Sequence, residues 1–442
     1  MKNLFVAPAW LACSILYGMV FLFAVTHLLG VTWQSWMTIA FHVTLLFWGT
    51  TLAWVHRKRL MPLSAYDALF AFFLLFVLGS VVLQDTFRFG ADTYSRFLPF
   101  LMVLPYFCGR MMRESDIELF SRIAISLGLT LVPLLLIDRF LSSDLGQMRW
   151  PFFGQNHSPL LVAAGLVAVI LSLVAHGTRT PTSGVRAGFG PPNYLLICMF
   201  TVFLVWVAAR GWLVALISAI AILAVASYRH HELRRKYLKV LLCVAATVVA
   251  SLAFLPPSYS HFYAKLLSEH AQVQATLQGQ CLTWTKDDPQ VSCPILGEQS
   301  CAPLKEGVDS VAIRQVLYRE ALAMFKLSPA FGVGAARFGH YSCTGEQGFP
   351  HSSILQGLAE LGVIGGGLLL LLVFLAAQTL IRNLNKPDAS NSKTAAPFVF
   401  AMFAAILIAD QIYGNYFMAA GMYLMLGISG GMRAGFREEQ NV

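Results

Sequence analysis

The dominant feature of the sequence is a succession of apolar runs separated by short polar segments. A helix needs about 20 mostly apolar residues to cross the hydrocarbon core of a bilayer. Each run therefore predicts a spanning helix, although run 97–109 is short and contains Pro99 and Pro105, so we expect it to be tilted, kinked or re-entrant. The twelve runs are 8–30, 34–55, 66–84, 97–109, 117–137, 157–175, 194–209, 212–227, 238–255, 361–381, 396–413 and 416–432.

Composition supports a membrane protein. Hydrophobic residues make up 57% of the 442 residues and charged residues only 12%, whereas soluble domains contain about 25% charged residues. The net charge of +9 is a common feature of nucleic-acid-binding proteins. Here the cations fall mostly in short loops between apolar runs, which indicates a phospholipid membrane as the partner and no nucleic acid.

The distribution of cations predicts the orientation of the chain. If the N-terminus is cytoplasmic, 18 Lys and Arg residues lie in cytoplasmic segments, and five lie in the short outer loops. This bias predicts that both termini are cytoplasmic and that the long loop between helices 9 and 10 is periplasmic. The predicted units are a first bundle of about nine spans (1–255), a periplasmic loop domain (256–350) and about three C-terminal spans (351–442).

Eight cysteines are present, and four of them lie in the long loop. An even number in an oxidising compartment predicts two disulfides, with three pairings open. A metal site is the weaker interpretation, because the spacings are irregular and no C-x-x-C pair occurs. The four candidates are Cys281, Cys293, Cys301 and Cys343.

The second half of the loop has recognisable local structure. Apolar residues recur at helical intervals between positions 311 and 327, which predicts a helix that Ser328 and Pro329 end. Gly332-Val-Gly334 then predicts a turn, followed by Arg337.

The sequence His351-Ser352-Ser353 opens the run that leads into the next span. Ser352 or Ser353 is expected to cap that helix. On an ideal helix His351 shares a face with Gly362 and lies near Gly366, whereas Glu360 falls on the opposite side. This face is interpreted either as a packing contact with a solvated histidine at its end, or as a slot for a lipid chain with a functional histidine at its mouth.

Several cations lie on the predicted outer side. Arg210 stands between two apolar runs beside Trp212, where an arginine is usually functional or paired, although it can also reach the interface. Arg314 and Arg319 are about 140° apart on the loop helix, and a solvated surface position is the alternative for both. Asp410, near the outer end of its run, is expected to pair with an arginine or to mark a proton path. The remaining candidates for substrate binding are Arg88, Arg149, His157 and Arg337.

Three of these stretches resemble the superfamily of O-antigen ligases, O-antigen polymerases and pilin-glycosylating oligosaccharyltransferases. The first is the outer-side pair Arg210-Gly211. The second is Arg314, Tyr318, Pro329 and Gly332-Val-Gly334, with tyrosine where tryptophan is common. The third is His351-Ser352, then Gly362 and Gly366, with serine where asparagine is common in the wider superfamily.

The resemblance implies an all-α integral membrane protein with a C-type glycosyltransferase-like fold. It also implies an inverting, metal-independent transfer of O-antigen at the periplasmic face of a Gram-negative inner membrane. The donor is undecaprenyl-diphosphate-linked O-antigen and the acceptor is the lipid A–core oligosaccharide. The residue chemistry is compatible, since arginines clamp diphosphate without a metal or cofactor and histidine is a base near neutral pH. His351, Arg210 and Arg314 are the expected catalytic residues.

Two alternatives remain open at this point. A polymerase or a protein O-oligosaccharyltransferase of the same superfamily would carry the same residues. A lipid-linked glycan transporter is disfavoured, because transporters usually have polar or broken helices near the bilayer midplane, whereas here the polar residues gather at the outer edge.

Overall fold

The structure, a computed structural model, is built almost entirely of helices. It describes residues 7–18, 35–61, 63–83, 102–141, 191–206, 210–227, 231–253, 282–283, 302–303, 310–342, 349–385, 395–412 and 419–440. The helices are α1 (Pro8–Cys13), α2 (Ser35–Val55), α3 (Arg57–Leu60), α4 (Ala65–Leu83), α5 (Leu104–Met111), α6 (Glu114–Leu141), α7 (Pro191–Trp206), α8 (Arg210–Ala226), α9 (His231–Ala253), α10 (Ser310–Leu327), α11 (Phe338–Tyr341), α12 (Ser353–Leu384), α13 (Ala395–Asp410) and α14 (Ala420–Gln440). Strands β1 (Leu282–Thr283) and β2 (Ala302–Pro303) form a short parallel pair in which Leu282 lies opposite Ala302.

The helices follow the apolar runs of the sequence. Eleven of the twelve runs contain a helix within the described residues, and run 157–175 lies outside them. Two described segments are both long and apolar enough to cross a bilayer, Ala65–Val82 and Ser353–Leu384. Shorter apolar helices occur at Pro8–Gly18, Ile39–Val55, Leu213–Ala226 and Ala395–Asp410. The all-helical class is confirmed, whereas the count of twelve spans and the division into three units stay predictions.

Helices α4 and α12 pack against each other in antiparallel orientation. Near the C-terminal end of α4, the Ser80 hydroxyl accepts a hydrogen bond of 3.0 Å from the backbone N–H of Ala335. Near its N-terminal end, the Tyr66 hydroxyl donates a 3.2 Å bond to the carbonyl of Leu372 in α12. Nineteen residues rise about 28 Å along a helix, close to the hydrocarbon thickness of a bilayer. Helix α4 is therefore long enough for its two ends to reach opposite faces of a bilayer.

A buried polar network occupies the Ala65 end of α4. The Asp67 carboxylate accepts hydrogen bonds from the Arg110 guanidinium at 3.0 Å, the Tyr106 hydroxyl at 2.8 Å and the Ser64 hydroxyl at 2.7 Å. Because both charges are buried, the ion pair depends on these additional bonds to offset its desolvation. The network fixes α4 against α5 at this end of the bundle.

The main apolar core draws residues from most of the described helices, with large contributions from α4, α5, α8, α12, α13 and α14. The Phe70 ring of α4 stacks on the Tyr106 ring of α5, with centroids 3.6 Å apart, and Tyr423 of α14 is tilted against Phe70. All three rings are buried. This core holds the helices whose other ends carry the candidate site.

Candidate functional site

The turn that follows α10 inserts into a break in α12 and forms backbone hydrogen bonds with that helix. Within α12, Gly362 has non-helical dihedral angles (φ 64°, ψ −164°). The backbone N–H groups of Val363 and Ile364 donate to the carbonyls of Pro329 and Ala330, at 2.7 and 3.2 Å. In the other direction, residues 333 and 334 donate to the carbonyls of residues 359 and 360, both at 2.9 Å. Residues 329–334, which we call the splice segment, thus satisfy the backbone groups that the break in α12 frees.

Glycine is required on both sides of this contact. Gly332 has φ 72° and Gly362 has φ 64°. Residues with a Cβ atom adopt such positive φ angles only at a cost in free energy. A Cβ atom on Gly332 would meet the main chain of Glu360, and one on Gly362 would meet the main chain of Ala330 and Gly332. This contact favours the packing interpretation of the face with Gly362 and Gly366 over the slot for a lipid chain. Gly362 is covered by the splice segment, and the space beside Gly366 is filled by Leu358.

Glu360 is the polar anchor of this junction. Its side chain is fully buried, and its carboxylate accepts backbone N–H bonds from Ala336 at 2.8 Å and from Phe338 at 3.0 Å. The Gln356 amide donates a third bond at 3.1 Å. Ala336 itself has φ 59°, one of two left-handed non-glycine residues among those described. The Glu360 carboxylate thereby fixes the backbone on both sides of Arg337.

A second buried carboxylate holds the end of the same segment. Glu320 of α10 is fully buried and accepts a 2.6 Å hydrogen bond from the Ser342 hydroxyl. Residues 336–342 are consequently tied both to α12, through Glu360, and to α10, through Glu320. Arg337 lies on a segment whose conformation is fixed from two directions, which suits a residue that binds a ligand.

His351 lies immediately outside α12. Ser352 is the N-cap, and its hydroxyl accepts a 3.3 Å hydrogen bond from the N–H of Leu355, as the sequence predicted. His351 precedes this cap with φ 52°, and its ring contacts Phe349 at a centroid distance of 4.4 Å. Placing His351 on one helical face with Gly362 is therefore wrong, because His351 is not helical and the helix is broken at Gly362. A left-handed histidine of this kind is uncommon and is typical of functional sites.

The end of α13 meets the start of α12. The Ser352 hydroxyl donates to the Gln411 side-chain carbonyl at 2.9 Å, and the Ser353 hydroxyl lies 3.5 Å from the Asp410 carbonyl oxygen. The Tyr318 hydroxyl of α10 donates to the Gln411 carbonyl at 3.3 Å. Gln411 thus links α10, α12 and α13 beside His351.

Asp410 is an unusual group in this setting. Its Oδ2 atom is buried and has no hydrogen-bond partner among the described residues. A carboxylate buried without a partner is costly, so it is typical of a site that acts on charge or protons. The sequence indicated Asp410 only as an arginine partner or a proton path, and Gln411 was missed.

Two arginines on α10 differ in their surroundings. Arg314 is half-buried and lies one turn before Tyr318, so both residues lie on the face that approaches Gln411. Arg319 is exposed and lies about 140° from Arg314 around the helix. Of the two, Arg314 is the better placed to act at the junction next to His351.

One known family matches part of this sequence. Residues 194–372 match the sequence model of the O-antigen ligase family. Over these residues the chain is similar to the O-antigen ligase family, which supports membership of the O-antigen ligase superfamily. No individual curated protein matches the sequence.

The match to the ligase family extends from α7 to the middle of α12, so it contains the splice segment, the break at Gly362 and His351. It also contains Arg210 and Arg314. Asp410 and Gln411 lie beyond its end. Only the packing of α13 against α12 therefore adds these two residues to the candidate site.

The remaining candidates are placed as follows. Arg210 is the first residue of α8, and the structure describes its backbone but not its side chain. Arg88, Arg149 and His157 lie outside the described residues. The four loop cysteines, Cys281, Cys293, Cys301 and Cys343, also lie outside them. Within the described part of the chain, no group of three or more His, Cys, Asp or Glu side chains is arranged to hold a metal ion.

Proposed function

We propose that this protein is an O-antigen ligase. It transfers a glycan from undecaprenyl diphosphate to a sugar hydroxyl of the lipid A–core oligosaccharide. The observation that supports the proposal most is the meeting of three elements beside His351: the Arg314 face of α10, the start of α12 and the end of α13. This meeting point lies at one end of the helices, where two lipid-linked substrates enter from the bilayer.

The proposed reaction is an inverting displacement. The acceptor hydroxyl oxygen attacks the anomeric carbon of the first sugar of the donor, and the bond from that carbon to the diphosphate oxygen breaks. His351 takes the hydroxyl proton, and undecaprenyl diphosphate leaves with the bonding electron pair. A histidine suits this role because its unperturbed pKa lies near neutral pH.

Arginines are proposed to stabilise the departing diphosphate. The planar guanidinium of an arginine donates two parallel hydrogen bonds to phosphate oxygens, and its charge offsets the negative charge that develops on leaving. Arg314 and Arg210 are assigned this role. Arg337, whose flanking backbone N–H groups bond Glu360, is assigned to binding the glycan or the diphosphate.

The orientation in the membrane is part of the proposal. The site lies near the Leu83 end of α4, whereas the cations of α3 and the loop after α5 lie at the Ala65 end. Cytoplasmic segments are enriched in Lys and Arg, so the site is assigned to the periplasmic face of the inner membrane. A reporter enzyme fused within residues 270–340 should behave as periplasmic and one at 230–236 as cytoplasmic. Swapped activities would reject this orientation.

Deletion of the gene separates ligase from polymerase. Loss of a ligase leaves full-length glycan on the undecaprenyl carrier and bare core on lipid A. Loss of a polymerase leaves single repeats attached to the core. Glycolipids from the deletion strain, separated by gel and complemented with the wild-type chain, give one pattern or the other. Single repeats on the core, or glycan attached to a protein, would overturn the proposal.

A further inference from the structure

A basic pocket lies at the Ala65 end of the bundle, on the opposite side from His351. It is open, has a volume of about 490 Å³ and is formed where α2 turns into α3 beside the loop between α5 and α6. Its lining residues are Trp54, Val55, His56, Arg57, Lys58, Arg59 and Arg113. Among the described residues that form this lining there is no carboxylate.

The pocket carries an excess of positive charge. Arg59 is neutralised by Asp116, whose carboxylate lies 2.9 Å from its guanidinium. Arg57, Lys58 and Arg113 are exposed, and within the described parts of the chain no carboxylate lies at ion-pair distance from any of them. Three cations that have no ion-pair partner among the described residues lie around one concave surface, which indicates a ligand with negative charge.

The floor of the pocket is fixed by the bundle. The Arg59 guanidinium donates to the carbonyl of Met111 at 3.3 Å, and the Arg110 guanidinium donates to the carbonyl of Arg59 at 3.3 Å. Arg110 is itself buried in the ion pair with Asp67. The backbone that presents Arg57 and Lys58 is consequently held against α5.

An apolar surface leads into the pocket along α2. Ile39, Val43 and Phe47 recur every four residues and are 56%, 54% and 75% exposed, so they form a lipid-facing stripe. The stripe ends at Trp54, which is 72% exposed and lies under the Arg57 guanidinium at 4.9 Å from the ring centroid. Tryptophan beside cations is typical of the interface between acyl chains and headgroups.

We propose that this pocket binds the phosphate of an anionic phospholipid such as phosphatidylglycerol. Its phosphate and headgroup lie among Arg57, Lys58 and Arg113, and its acyl chains lie along the exposed stripe of α2. The arrangement of cations next to an apolar surface distinguishes a lipid from a soluble phosphate, which needs no stripe. The inference does not depend on the proposed ligase function, since the pocket lies at the other end of α4.

Lipid binding to the full-length protein tests the proposal. The purified chain in detergent is titrated with phosphatidylglycerol or with zwitterionic phosphatidylcholine, and bound lipid is measured by native mass spectrometry. The test variant carries Arg57→Gln, Lys58→Gln and Arg113→Gln. The control variant carries Arg234→Gln, Arg235→Gln and Lys239→Gln, three exposed cations of α9 outside the pocket, so both variants lose the same charge.

Each cation near an anionic lipid contributes on the order of fivefold in affinity. We therefore expect the pocket variant to bind phosphatidylglycerol at least about tenfold more weakly than the control variant, with phosphatidylcholine binding equal in both. Equal losses in the two variants would show that only general charge matters and would overturn the proposal. Full displacement of the lipid by excess inorganic phosphate would reject a lipid as the ligand. If the triple variant fails to fold, the single variants Lys58→Gln and Arg113→Gln carry the same comparison against Arg234→Gln.

Discussion

Gly332 and Gly362 pack main chain against main chain, with 29 intervening residues in the sequence. Each has a positive φ, and a Cβ atom on either one would meet the backbone of the opposite segment. The contact joins residues 329–334 to α12 at the break in that helix. It therefore fixes the position of the splice segment relative to His351, which lies at the start of the same helix.

Alanine at either glycine is expected to disrupt this junction. A left-handed conformation costs a non-glycine residue roughly 1–2 kcal/mol, and the backbone must also move to make room for the methyl group. Gly332→Ala and Gly362→Ala should each lower stability by more than about 2 kcal/mol, measured by thermal unfolding in detergent. Gly367→Ala is the matched control, since a Cβ there meets nothing within 4 Å. Equal stability of all three variants would contradict the packing.

Loss of His351 is expected to abolish most ligation while the protein still folds. If His351 is the base, His351→Ala should lower the rate by about 10²–10⁴-fold, the usual contribution of general acid–base catalysis. If it only binds phosphate, His351→Lys should retain part of the activity, because lysine also binds phosphate. The rate is measured with purified protein, donor and acceptor, and His231→Ala, an exposed histidine at the start of α9, is the control. Normal ligation by His351→Ala would place the active site elsewhere.

The two arginines of α10 should behave differently. Arg314→Ala should weaken donor binding and lower the rate, because Arg314 is half-buried on the face of Tyr318. Arg314→Lys should restore activity only in part, since the paired donors of the guanidinium are lost. Arg319→Ala, on the exposed side of the same helix, should have a small effect and serves as the control. Arg210→Ala should resemble Arg314→Ala in the same assay at matched protein levels. An equal effect of Arg314→Ala and Arg319→Ala would remove the special role of Arg314.

Glu360 is expected to act through the backbone on both sides of Arg337. Glu360→Gln replaces one carboxylate oxygen by an NH₂ group, so a buried backbone N–H loses its acceptor, at a cost of about 1–3 kcal/mol. If Glu360 positions Arg337, the losses in ligation from Glu360→Gln and Arg337→Ala should be less than additive in the double variant. Glu118→Gln, at a partly exposed carboxylate of α6, is the control for the charge change. Strict additivity would assign Glu360 a purely structural role.

Chelators should leave ligation intact. Stabilisation of the phosphate charge is assigned to arginines, and the described residues contain no cluster suited to a metal ion. Activity of the purified protein is measured after dialysis against EDTA and again after addition of Mg²⁺ or Mn²⁺. Loss of activity with recovery on adding either cation would contradict the assignment of diphosphate stabilisation to Arg210 and Arg314.

The sequence by itself determined the local elements. Apolar runs specify helices because lipid replaces water around them, and every run that falls within the described residues contains one. The sequence correctly predicted a helix over 311–327 that ends before Ser328 and Pro329, and a turn at Gly332. It also predicted a cap by Ser352 or Ser353, and the structure has Ser352. Each of these depends on periodicity, capping or backbone freedom within a few residues, so the signal is contained in neighbouring positions.

Only the tertiary structure decided how those elements combine. The break at Gly362 is supported by backbone hydrogen bonds from residues 329–334, and such bonds leave no pattern in the side chains. The ideal-helix argument failed for the same reason, because it joined His351 and Gly362 across a cap and a break. Glu360 gained its role from the backbone at positions 336 and 338, and Gln411 from contact with Ser352. These partners are distant in sequence, so close packing of separate helices, rather than any local preference, brings them together.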